Sequence, residues 1–157
     1  MNVRDAAYSY LEHRGRSVRE MRTHLSDKGF DGNDIEEVIK ELKVSNYLND
    51  VEYVIAYIDY GLRKKHGMMR IRRELSERGV SSDDIASGID DYEEERGVDL
   101  AEEEAAAAMA EALRITADRP ADVRLMGKVG RRLSTLGYGT DTVYHVIGVL
   151  MKGGGDE

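Results

Sequence analysis

Residues 71–89 read IRRELSERGVSSDDIASGI, and the spacing within this stretch decides the fold. Ile71 and Leu75 are four apart, so they stack on one face of a helix. Gly79 follows four later, where that helix turns left-handed and stops, and Val80, Ile85 and Ile89 lead into and line a second helix. The same series occurs upstream as Met21, Leu25, Gly29, Phe30, Ile35, Ile39, and downstream as Val129, Leu133, Gly137, Tyr138, Val143, Ile147. The copies lie 50 and 58 residues apart, which is too regular for a coincidence of common residues.

Each copy is preceded by a more variable helix, so the repeating unit is three helices long. The reading is an all-α protein: an elongated, curved array of three tandem three-helix repeats at 1–46, 47–97 and 98–152, with a disordered tail at 153–157. Helices are predicted from Val3 to His13, Ser17 to Lys28, Gly32 to Lys43, Asn49 to Lys65, Gly67 to Arg78 and Ser82 to Glu95. In the third unit they are predicted from Leu100 to Thr116, from about Pro120 onward, and from Thr140 to Lys152. Ser17 with Glu20 forms a capping box, Asn49 is an N-cap, and Asp31 with Asp34 and Ser81 with Asp84 place acceptors and negative charge at helix starts. Gly29, Gly79 and Gly137 are predicted to take positive φ, and Tyr47, Tyr53, Tyr57 and Tyr60 to be core or half-buried, with Tyr57 or Tyr60 able to stack on a base or partner side chain.

The chain has 157 residues with 41% hydrophobic, enough for cores, but a single Phe and no Trp make those cores thin and local. The absence of Cys excludes disulfides and thiolate zinc sites. The opening Met1-Asn2-Val3-Arg4-Asp5 lacks a secretory apolar run, and no segment approaches the roughly 18 apolar residues of a membrane span, so the expected location is the cytoplasm, away from membranes. His13, His24, His66 and His145 are scattered, with no metal or phosphate-loop spacing, and Asp31 to Asp34 falls short of a calcium loop. No catalytic residue, cofactor or metal is therefore expected.

Charge is segregated. Arg63, Lys64, Lys65, Arg70, Arg72 and Arg73 form a basic run without an acid between them, whereas eleven acids from Asp83 to Glu104 face Arg96 alone. On a chain of net charge −8 this favours an oriented contact with a phosphate backbone or an acidic protein over a small-molecule pocket. The bland alternative is that the arginines cover helix stems or pair with Glu74 and Glu77.

Over nearly its whole length the chain resembles the RecX regulatory proteins, modulators of the RecA recombinase. The likeness is strongest at Tyr47-Leu48-Asn49-Asp50, Tyr53, Tyr57, Gly67, Arg70-Ile71, Glu74-Leu75, Gly79-Val80 and Ile85, with Asn49 where the family has Asp. Arg14-Gly15-Arg16-Ser17 with Glu20-Met21 is similar to the family's Arg-x-Arg-Ser-x-x-Glu-Leu start, and Arg131-Arg132-Leu133 to Gly137-Tyr138 to its terminal region.

The resemblance implies a non-enzymatic regulator that binds RecA filaments on single-stranded DNA, suppresses ATP hydrolysis and strand exchange, and thereby modulates recombination, repair and the SOS response. The expected contact surface is Arg14, Arg16, Arg22, Arg63, Lys64, Lys65, Arg70, Arg72 and Arg73. A monomer is expected, reaching DNA through the filament and binding naked DNA weakly given a pI near 5.1. The rival reading is a helical module that binds DNA directly, without the recombinase.

Overall fold

The computed structural model describes residues 1–153, and among them every regular element is an α-helix. These are α1 Val3–His13, α2 Val18–Asp27, α3 Gly32–Val44, α4 Asp50–Arg63, α5 Met68–Glu77, α6 Ser82–Arg96, α7 Leu100–Thr116, α8 Val123–Leu136 and α9 Thr140–Gly153. Most predicted boundaries hold to within a residue or two. The exception is α8, which starts later than Pro120 implies: Asp122 is its N-cap, with its carboxylate accepting from the Leu125 amide at 2.7 Å. A carboxylate that satisfies an orphan amide sets a helix start more strongly than a proline that merely tolerates one. Gly153, assigned to the tail from sequence, closes α9, and the rest of that tail lies outside the described residues.

The recurring Leu-x3-Gly-apolar signature is a complete helix terminator. The Phe30, Val80 and Tyr138 amides donate to the Leu25, Leu75 and Leu133 carbonyls at 3.3, 3.1 and 3.1 Å. The Gly29, Gly79 and Gly137 amides each donate three residues back, with φ of 88°, 85° and 96°. This is the paired pattern of a Schellman motif, in which the leucine and the residue after the glycine also meet as an apolar contact. The glycine supplies the left-handed turn, and its flanking residues seal the helix end.

At the helix starts the capping box of Ser17 and Glu20 is present in full. Asn49 accepts from the Glu52 amide at 3.1 Å, and Ser81 from the Asp84 amide at 3.1 Å. Asp31 departs from expectation: it occupies the N-cap position of α3 without a side-chain hydrogen bond, so its contribution there is charge at the helix N-terminus. Tyr53 and Tyr57 are buried as expected, whereas Tyr47 and Tyr60 are 60% and 41% exposed. Tyr47 lies edge-on to the ring of Tyr8, a surface contact.

The chain falls into two compact units. One comprises Met1–Tyr57 with Glu74–Asp91, and the other Ile58–Arg73 with the chain from Tyr92 onward. In the first, α1, α2 and α3 enclose Ala6, Ala7, Met21, Leu25, Ile35, Ile39 and Leu42. In the second, α7, α8 and α9 enclose Ala108, Ala112, Leu125, Val129, Leu133, Tyr138 and Val146. Within both units the recurring glycine is also a docking point. The Ser17 hydroxyl donates to the Arg78 carbonyl at 2.8 Å, and a side chain at Gly79 would overlap the Arg19 stem. Correspondingly, the Gly67 amide donates to the Leu136 carbonyl at 2.8 Å, and a side chain at Gly137 would overlap Arg70. Ser17 and Gly67 each lie four residues before their copy's first apolar position, so the two contacts are equivalent. Gly29 has nothing within 4 Å of its side-chain position.

Candidate functional site

The basic run occupies the end of α4 and the start of α5. Helix α4 ends on the same paired hydrogen bonds as the glycine terminators, with the Lys65 amide donating to Leu62 and the His66 amide to Gly61, but the left-handed residue is Lys65, at φ 63°. A lysine there is disfavoured, and its carbonyl is held by the Tyr138 hydroxyl at 3.2 Å. Gly67 then brings the chain against Leu136 and Gly137, and Glu104 accepts the Met68 amide at 3.3 Å. Burial raises the Glu104 pKa, partly offset by that hydrogen bond and by the Arg72 charge.

These constraints divide the six cations. Arg70 is half-buried, with its stem against Gly137 and Nη1 3.4 Å from the Thr135 carbonyl. Lys65 reaches Glu111 at 3.8 Å. Arg63, Lys64, Arg72 and Arg73 are exposed, and the Lys64 ammonium lies 5.8 Å from the centre of the Tyr60 ring. Of the run only Arg70 is half-buried; the other five are exposed, Lys65 with its ammonium turned toward Glu111.

The cations of the first unit are engaged differently. Arg14 pairs with Glu20 at 2.6 Å, donates to the Gly15 carbonyl at 2.9 Å and approaches the Tyr53 hydroxyl at 3.4 Å. The same hydroxyl accepts from Arg78 at 2.7 Å, and Arg78 lies over the Tyr57 ring, whose hydroxyl donates to Glu74 at 2.6 Å. Burial alone would raise the Glu20 pKa, but the Arg14 side chain and the Ser17 amide together hold it below the ordinary value. Arg16 lies 3.7 Å over the Tyr10 ring and donates to the Tyr10 carbonyl at 3.2 Å, while Tyr10 also stacks on His24. Arg22 grips Glu36 with two hydrogen bonds, at 2.7 and 3.2 Å. Arg14 and Arg16 are therefore tied to neighbouring side chains and main chain of their own unit, whereas Arg22 pairs with Glu36 on its surface.

Two charged features were not read from the sequence. Glu111 is buried, 4% exposed, and gathers Arg114 at 2.5 Å, Arg132 at 3.6 Å and Lys65 at 3.8 Å. Its pKa is lowered, chiefly by the Arg114 hydrogen bonds. On α8 the apolar face of Leu125, Met126, Val129 and Leu133 is buried, and the opposite face presents Arg124, Lys128 and Arg131, which with Arg119 line a cleft. Their spacing of four and then three was available as a signal, diluted by the intervening apolar residues.

Among the described residues no group of three or more histidine or acidic side chains is placed to hold a metal ion, and no helix is long and apolar enough to cross a membrane. No buried side-chain nitrogen or oxygen lacks a hydrogen-bond partner among them.

Comparison with known proteins places these features in context. Residues 4–42 match the family model for the first three-helix domain of RecX, and residues 49–89 the model for its second. Regulatory protein RecX of Pseudomonas fluorescens is 30% identical over 151 residues, covering 92% of this chain and 89% of that protein. Regulatory protein RecX of Listeria welshimeri is 32% identical over 100 residues, which is 63% of this chain, and the match spans 37% of that protein's length. The crystal structure of RecX from Lactobacillus salivarius superposes with a TM-score of 0.77 at 20% identity, covering 94% of each chain, and supports the all-helical fold.

Proposed function

The chain belongs to the RecX family of regulatory proteins, and on that premise we propose that it acts on RecA recombinase filaments assembled on single-stranded DNA. In this reading it lowers the recombinase's ATP hydrolysis and strand exchange, and so modulates homologous recombination, DNA repair and the SOS response. It acts as a monomer in the cytoplasm, through binding alone. Helices α7, α8 and α9 serve as a third three-helix repeat after the two matched domains.

The observation that carries the proposal is the outward presentation of Arg63, Lys64, Arg72 and Arg73 from the α4–α5 connection, in a family named for regulation. A filament presents ordered negative surface to such a patch, and several contacts on one body raise effective concentration. Of the nine cations expected from sequence to form the contact, these four are best placed to make it. Within their own units Arg14, Arg16, Arg22 and Lys65 are engaged with Glu20, Tyr10, Glu36 and Glu111, and Arg70 packs against Gly137.

The test is the single-stranded-DNA-dependent ATPase of the cognate recombinase, titrated with this protein well below one molecule per protomer. Suppression is expected, and a variant carrying Arg63→Gln, Lys64→Gln and Arg72→Gln should need roughly tenfold more protein for the same effect. Absence of suppression by the folded protein would refute the proposal.

A further inference from the structure

Glu111 assembles more positive charge than it can neutralise. Its Oε1 accepts from Arg114 Nη2 at 2.5 Å and lies 3.6 Å from Arg132 Nε, and its Oε2 accepts from Arg114 Nε at 3.1 Å and lies 3.8 Å from Lys65 Nζ. Three cationic heads thus converge on one buried carboxylate, drawn from just past the end of α4, from α7 and from α8 within a single unit. One negative charge against three positive leaves an excess of two, and cations brought this close repel one another. The three side chains are about half exposed or more, and they make no other hydrogen bond or ion pair among the described residues. Each guanidinium has five N–H donors, and Glu111 engages only Nε and Nη2 of Arg114 and Nε of Arg132. Most of the donors are left for a second anion.

Lys65 joins this cluster from a disfavoured backbone conformation. At the ends of α2, α5 and α8 the left-handed residue is Gly29, Gly79 or Gly137, whereas at the end of α4 it is Lys65, at φ 63°. Among the described residues the other non-glycine residues with positive φ are Asn46 and Asp118, types that tolerate this conformation better than lysine does. The fold draws little from a lysine there, because an ion pair at 3.8 Å on a side chain 64% exposed is weak. What lysine supplies and glycine would not is a third positive head beside Arg114 and Arg132. Backbone strain kept for the sake of a side chain is a mark of a binding site.

We propose that Lys65, Arg114 and Arg132, gathered by Glu111, bind a compact polyphosphate anion, either free pyrophosphate or the phosphate end of a nucleoside di- or triphosphate. A carboxylate side chain brings one charge and repeats what Glu111 already does. A phosphodiester strand spreads single charges along a line, so it sets only one of them against a cluster with an excess of two. A polyphosphate carries two or more charges in one small group, and its oxygens suit the forked donors of two guanidinium groups and the point charge of an ammonium. The proposal does not rest on the recombinase reading, since no recombinase takes part.

The experiment titrates the full chain with sodium pyrophosphate in a calorimeter, without divalent cations and at about 50 mM salt. One site per chain is expected, with a dissociation constant of about 0.1 mM. Arg132→Gln leaves the Arg114–Glu111 pair in place and should weaken binding about tenfold or more. Lys65→Gly should weaken it to a similar degree while raising the thermal midpoint by about 2 °C or more, because glycine takes the left-handed conformation without strain. Arg124→Gln with Lys128→Gln, on the outer face of α8, should leave the affinity within about twofold. Adenosine triphosphate in the same buffer separates the two sources. Equal affinity assigns the phosphate chain alone, and binding at least about tenfold tighter assigns a nucleotide. Dimethyl phosphate, which carries the single charge of a diester, should not bind. Four outcomes would overturn the proposal. One is no binding of pyrophosphate or adenosine triphosphate at concentrations up to about 5 mM. Another is binding indifferent to both Arg132→Gln and Lys65→Gly. The third is a lowered midpoint in Lys65→Gly with binding unchanged, which would mean that the lysine serves the fold. The fourth is dimethyl phosphate bound as tightly as pyrophosphate.

Discussion

The Gly67 amide donates to the Leu136 carbonyl at 2.8 Å, and the approach is so close that a β-carbon at Gly67 would overlap the Gly137 backbone. The equivalent contact in the other unit uses the Ser17 hydroxyl and the Arg78 carbonyl, which stands the backbones further apart. One repeat position thus docks by main chain in one unit and by side chain in the other. The glycine is required only where main chain meets main chain.

Gly67→Ala should therefore destabilise the protein by about 3 kcal/mol, since rigid backbone lies opposite the new methyl. Gly32→Ala, with nothing within 4 Å, should fall within about 0.5 kcal/mol of the parent. Urea denaturation followed by helical circular dichroism measures both.

The three terminator glycines should separate in the same assay. Gly29→Ala should cost about 1–2 kcal/mol, the left-handed penalty alone, because its side-chain position is open. Gly79→Ala and Gly137→Ala add an overlap with the stems of Arg19 and Arg70 and should each cost at least about 1 kcal/mol more. Equal losses at all three would refute the docking role.

Tyr53→Phe should lower stability by about 1–2 kcal/mol, because it removes the hydroxyl accepting from Arg78 at 2.7 Å and leaves that half-buried guanidinium short of a partner. Arg14→Ala should cost about 1 kcal/mol, and combined with Tyr53→Phe less than the sum, since both belong to one network. A double-mutant cycle reports the shortfall. Reduced filament inhibition by an Arg14 variant then reads first as a stability effect.

Glu111 and Glu104 should give opposite pH signatures. The lowered Glu111 pKa means its contribution is present above the ordinary value of 4.5 and lost as pH falls through the folded value. Glu111→Gln should cost about 1–2 kcal/mol at pH 7, toward the low end because its three cationic partners are about half exposed or more, and the difference from the parent should shrink below pH 4.5.

Glu104, raised by burial, stabilises most when protonated, and that contribution fades as pH rises through its folded value above 4.5. A glutamine there keeps an acceptor for the Met68 amide, so Glu104→Gln should be at least as stable as the parent at pH 7. Thermal unfolding at pH 4 and pH 7 checks both carboxylates.

The helices were legible because their start and stop chemistry is local. A Schellman end spans six residues, a capping box four, and one apolar face repeats every three or four, so Leu75, Gly79 and Val80 announce themselves in the chain. Family membership was legible for the same reason, since these local signatures carry the resemblance. What tertiary structure alone decided is the employment of the charges. Arg14 finds Tyr53 39 residues away, Glu111 draws Lys65 from a separate helix end, and the closeness of Gly67 to Gly137 exists only once α5 and α8 pack. The start of α8 at Asp122 rather than Pro120 was by contrast local: the carboxylate caps the Leu125 amide three residues on, which outweighs a permissive φ. The partners of long flexible side chains are set by packing, which is why apolar spacing revealed the scaffold while the helical spacing of Arg124, Lys128 and Arg131 left open whether they would be paired.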